Sequence, residues 1–178
     1  MSSWIERAHY AASEPGRVAV LVALAQAERA LDEIMLGQTA GLLYQRIVGQ
    51  PVETLVIIKH ITDLAGQGLV ERDDSGFRWR LTALGTLVSR PWAAGAVEPP
   101  GTQALEPSEV RGWRDRLVRQ MDEDAALAEQ AGLSAEELLA GLSTRLAELR
   151  VLNRVLGEEV LPEWLRALAP GADDLDEA

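Results

Sequence analysis

Residues 51–90 read PVETLVIIKHITDLAGQGLVERDDSGFRWRLTALGTLVSR. Ile57, Ile61 and Leu64 recur at helical spacing, so a helix over about 51–65 should bury that face. Gly66-Gln67-Gly68 stops it, and Leu69-Val70-Glu71-Arg72 follows as a short strand. Asp73-Asp74-Ser75-Gly76 supplies a turn and Phe77-Arg78-Trp79-Arg80-Leu81 a return strand. Thr82 then starts another helix. Helix, stop, hairpin and helix in this order imply a mostly α fold with a small β-hairpin, of the α+β class.

Before this stretch, residues 1–16 read as a helical arm anchored by Trp4, Ile5 and Tyr10. Glu14-Pro15-Gly16 marks a helix start, and the apolar run from Arg17 predicts a mostly buried helix of about five turns, with a break near Glu28 and a stop at Gly37. Thr39 is expected to cap the next helix, in which Leu42, Leu43 and Ile47 share a face. Gly49-Gln50-Pro51 forms the turn into the 51–65 helix, with Pro51 at its first position.

Beyond Arg90 the composition changes. Pro91, Gly95, Pro99, Pro100 and Gly101 mark a linker over 91–107. An antiparallel helical region is expected over 108–169, its first helix capped by Ser108 and carrying Val110, Trp113, Leu117 and Met121 on one face. Ser134 with Glu137 forms a capping box that launches a second helix, which Pro162 should end. That helix carries a heptad: Leu139, Leu146, Asn153 and Val160 at one position, and Ala135, Leu142, Leu149 and Leu156 at the other. Such a seam packs on another helix, either a second copy of the chain or the 108–131 helix of the same chain. The dimer reading names Leu139, Leu142, Leu146, Leu149, Asn153 and Leu156, with Asn153 fixing register. Residues 170–178 form an acidic tail.

Charge divides along the same boundary. The chain carries a net charge of −11, yet residues 1–92 hold 9 basic and 10 acidic side chains, a net of −1, against −10 for the remainder. The first half is therefore not closed to nucleic acid, although it is not basic. Cysteine is absent and there are only 2 histidines, so no disulfide and no conventional zinc site is expected. No phosphate-binding glycine motif, His-Glu-x-x-His or Gly-x-Ser-x-Gly occurs, and we expect neither enzymatic activity nor a cofactor. No signal peptide or membrane-length apolar run is seen, which points to a cytoplasmic protein without a membrane partner.

The phrase GLVERDDSGFRWRLTALG, with the helix that leads into it, resembles the winged helix-turn-helix of bacterial regulators of the MarR and PadR type over residues 17–90. PadR-type proteins are also similar in placing a helical dimerisation region after that domain. The resemblance implies a DNA-binding transcriptional regulator, a homodimer that lays the 51–65 helix in a major groove and its wing on the backbone. The implied DNA contacts are Gln50, Thr54, Leu55, Lys59, Thr62, Arg72, Arg78 and Arg80. Alternation puts Arg78 and Arg80 on the outer face of the hairpin, with Phe77, Trp79 and Leu81 inward. The arginines either meet phosphates or pair with Glu71, Asp73 or Asp74. The outer face of the helix departs from the family pattern, since Val52, Leu55 and Val56 are apolar and Glu53 is acidic. That departure favours an alternative, a non-enzymatic adaptor that docks protein through Val52, Leu55 and Val56.

Overall fold

The computed structural model describes residues 4–92 and 106–168. The chain is mostly helical with one small sheet and divides into two compact units. The first contains α1 (Trp4–Ala12), α2 (Pro15–Gln26), β1 (Leu31–Asp32), α3 (Glu33–Val48), α4 (Thr54–Gly66), β2 (Val70–Arg72), β3 (Arg78–Leu81) and α5 (Ala83–Ser89). The second contains α6 (Pro107–Gln130) as far as Glu129, α7 (Ala135–Leu156) and α8 (Glu163–Leu168). Most of the expected 91–107 linker and the acidic tail over 170–178 lie outside the described residues.

The sheet is antiparallel in the order β1-β3-β2. Leu31 pairs with Trp79 and Asp32 with Arg78; on the other side of β3, Glu71 faces Arg80 and Arg72 faces Trp79. Around it, Leu21, Leu36, Ile57, Ile61, Leu64, Leu69 and Leu87 are fully buried. The inward face expected of the 51–65 helix is thus the face that α4 buries.

Several boundaries differ from the sequence reading. The break expected near Glu28 is present, with α2 ending at Gln26 and Ala27 extended, but a short strand not foreseen intervenes before α3. Asp32 caps α3, its carboxylate accepting from the Met35 N–H at 2.8 Å. Gly37 does not stop a helix but lies buried inside α3, and Thr39 is an exposed α3 residue rather than a cap. A β-carbon on Gly37 would stand 3.0 Å from the Thr54 methyl, so glycine here lets α3 and α4 approach closely. Gly49, at φ 80°, ends α3 in the left-handed conformation. Pro51 precedes α4 instead of opening it, because the helix begins at Thr54.

The hairpin turn closes as its residue types dictate. Asp73 N–H donates to the Arg78 carbonyl at 2.8 Å, and Gly76 N–H to the Asp73 carbonyl at 2.8 Å. Phe77, expected inward, is 78% exposed because β3 begins only at Arg78 and the alternation does not reach back into the turn. Thr82 caps α5 through Gly85 N–H and donates its hydroxyl to the Gly68 carbonyl at 2.7 Å, tying α5 to the end of α4.

In the second unit, Ser108 lies inside the first turn of α6, ahead of which Glu106 N–H donates to the Glu109 carboxylate at 2.9 Å. The Ser134–Glu137 capping box is present in both directions. Gly157, at φ 64°, ends α7; Pro162 instead precedes α8, and Val160 falls outside the helix. Arg111 and Arg114 near the start of α6 share Glu158 just past the end of α7, and Arg145 in mid-α7 reaches Gln120 and Asp124 further along α6. These ties set α6 and α7 antiparallel.

Candidate nucleic-acid interface and pairing face

The outer surface of α4 and the β2–β3 hairpin carry the residues singled out for DNA. Gln50, Thr54, Lys59 and Thr62 are all exposed, and the Thr62 hydroxyl donates back to the Ile58 carbonyl at 3.2 Å. Leu55 is 74% exposed. Val56 is also exposed, while Val52 is half-buried. Val52 and Pro51 join Gly37, Gln38, Gly41 and Leu42 around a groove of about 400 Å³ between α3 and the start of α4.

The three hairpin arginines have different surroundings. Arg80 Nε lies 2.9 Å from Glu71 Oε1, its register partner on β2. Arg72 donates to the Gly76 carbonyl at 2.9 Å, reaches Glu33 at 3.4 Å, and covers the Trp79 ring at 4.4 Å from its centroid. Arg78 is exposed and makes no ion pair or side-chain hydrogen bond with any described residue. The Ser75 hydroxyl holds the Asp73 carboxyl below its ordinary value of 3.8, helped by the Ser75 and Arg78 backbone. The turn therefore stays anionic beside Arg78.

Sequence reasoning missed the contribution of α3. Ile34, Leu42 and Ile47 are 72%, 63% and 53% exposed, and Arg46 adds an exposed cation. Among the described residues, no group of three or more His, Asp or Glu side chains is placed to hold a metal ion, and no helix is long and apolar enough to cross a membrane.

The heptad residues of α7 divide between two faces. Leu142 and Leu149 are buried, together with Leu138 and Leu152, on the side where Arg145 meets Gln120 and Asp124. Leu139 is 38% exposed, and Leu146, Asn153 and Leu156 are half-buried. Leu139, Leu146, Arg150 and Asn153 line a groove of about 660 Å³ with Leu161 and Leu165. Asn153 donates its amide to the Val160 carbonyl at 2.8 Å, holding the chain that leaves α7. Near the start of α6, Arg114 is buried, and its hydrogen bond to Glu158 raises its pKa while holding the Glu158 carboxyl below its usual value.

No protein-family model matches the chain, and comparison with curated proteins and with solved structures finds no match.

Proposed function

We propose that the first unit is a winged helix-turn-helix and that the protein is a cytoplasmic, non-enzymatic, dimeric DNA-binding regulator of transcription. The observation that carries this reading is the chain order α2-β1-α3-α4-β2-β3 with sheet order β1-β3-β2, in which a two-stranded wing follows the second helix of a helix-turn-helix. In this reading α4 enters the major groove with Gln50, Thr54, Leu55, Lys59 and Thr62, and Arg72, Arg78 and Arg80 rest on the backbone. Arg46, Lys59 and Arg78 form no ion pair with a described residue and are available to phosphates. The Arg80–Glu71 and Arg72–Glu33 pairs are close to half exposed. Exposed pairs of this kind are worth roughly 0–1 kcal/mol, so exchanging a carboxylate for a phosphate costs little. Dimerisation uses the α7 face of Leu139, Leu146 and Asn153.

A second reading rests on Leu55 and Leu42, at 74% and 63% exposure, with Val52 and Val56 nearby. An apolar face of this kind suits a protein partner. Duplex-DNA binding by fluorescence anisotropy separates the two. Under the regulator reading, Lys59→Ala with Arg78→Ala weakens binding about uniformly across sequences and lowers the salt slope by roughly one per cation lost. If the double change is silent and Leu55→Asp alone abolishes capture of a protein partner, the docking reading replaces the regulator reading.

A further inference from the structure

We infer that Phe77, at the tip of the β2–β3 hairpin, is an apolar wedge for the DNA minor groove and sets a preference for base steps that unstack easily. This inference rests on the DNA-binding reading of the first unit.

Phe77 is the only phenylalanine of the chain. It is 78% exposed, more than Leu55 at 74% or Ile34 at 72%. The inner face of the hairpin is already filled by Trp79, which is buried and covered by Arg72. A single exposed apolar side chain is ordinary on a protein surface. What sets Phe77 apart is the turn that carries it.

That turn is held on both sides of the ring. Asp73 N–H donates to the Arg78 carbonyl and Gly76 N–H to the Asp73 carbonyl, each at 2.8 Å. Ser75 N–H reaches Asp73 Oδ1 at 3.1 Å, and Phe77 N–H itself donates to Ser75 Oγ at 3.3 Å. Arg72 ties the Gly76 carbonyl at 2.9 Å, and Gly76 takes the left-handed conformation at φ 73°. Folding has thus ordered this backbone already, so a contact made through Phe77 costs little further ordering.

A preordered aromatic at the end of a two-stranded ribbon has the form of a minor-groove wedge, an apolar side chain that enters between base pairs and parts their stack. With α4 in a major groove, the wing crosses the adjoining backbone and its tip comes to the minor groove. Arg78, the next residue, is exposed and forms no ion pair with a described residue, so it can meet a flanking phosphate. Asp73 and Asp74 at the same tip offset that cation, which leaves the ring rather than charge to supply the contact. Pyrimidine–purine steps unstack most readily, so a wedge favours duplexes that contain TA steps.

The test compares wild type, Phe77→Ala and Phe77→Leu in the full chain on two duplexes of equal length and composition, alternating TA and an A-tract. Anisotropy reads affinity, 2-aminopurine in the alternating duplex reads unstacking, and circular dichroism checks the fold. Wild type should bind the alternating duplex about tenfold tighter and brighten the 2-aminopurine. Phe77→Ala should lose both the preference and the brightening with an unchanged salt slope, because no cation is removed. Phe77→Leu retains an apolar wedge and should keep both. Duplex binding by the wild type without preference or brightening, or with either surviving in Phe77→Ala, would overturn this inference and leave the regulator reading standing. A wild type that binds neither duplex would remove that reading, and the inference with it.

Discussion

His60 lies on α4 with its ring against Gly16 of α2, so closely that a β-carbon on Gly16 would overlap the imidazole. Its Nδ1 is buried without a partner. Burial, and then the nearby Arg17, lower its pKa from 6.5. The native state therefore binds this proton less readily than the unfolded chain. The stability that neutral His60 contributes is complete above about 6.5 and is lost as pH falls through the lower native value. Denaturant midpoints should drop as pH falls below about 6.5, and His60→Gln should flatten that part of the slope. Asp73 and Glu158, held below their ordinary values of 3.8 and 4.5, stay ionised across this window and do not contribute. A slope unchanged in His60→Gln would remove the histidine from the explanation. Glycines supply a second test at this scale. A β-carbon on Gly85 would overlap the Leu69 carbonyl, which already accepts from Thr82, whereas one on Gly41 within α3 meets nothing. Gly85→Ala should cost on the order of 1–3 kcal/mol. Gly41→Ala should be neutral or stabilise by up to about 1 kcal/mol, and equal midpoints for the two variants would contradict the packing described.

Elements were legible where one periodicity ran between clear stops. The buried face of α4 follows from Ile57, Ile61 and Leu64, and the capping box of α7 from Ser134 and Glu137. The break expected near Glu28 is where α2 gives way, but the short β1 beyond it was hidden, because α2 is apolar almost all round and no change of face announced a strand. Phe77 was misplaced because alternation does not reveal where a turn hands over to a strand. On α7 the heptad was read correctly as a packing signal, but Leu142 and Leu149 are buried in the chain, leaving Leu139, Leu146 and Asn153 more open. Leu139→Asp with Leu146→Asp should therefore sediment as monomer. An unchanged mass in the leucine variant would confine the heptad to contacts within one chain.

At the scale of the whole molecule, charge separates the two parts of the chain more sharply than composition does. Residues 1–92 are nearly neutral, whereas the remainder is strongly acidic and repels a polyanion. DNA binding by such a chain depends on a few cations, with Arg46, Lys59 and Arg78 among those not already paired on the first unit. Its affinity is expected to be modest and its salt dependence steep. The partner was less legible than the fold for a physical reason. Burial patterns record what a chain packs against internally, while an exposed Leu55 or Arg78 records only that something outside is left to meet it. The most direct test is anisotropy of a labelled random-sequence duplex with the wild-type protein, from about 50 to 200 mM salt. Two copies engaging three phosphates each should bind saturably at the lower salt and weaken about a thousandfold across that range, a log–log slope of about −5. No binding at low salt, or binding that salt leaves unchanged, would contradict the DNA-binding account.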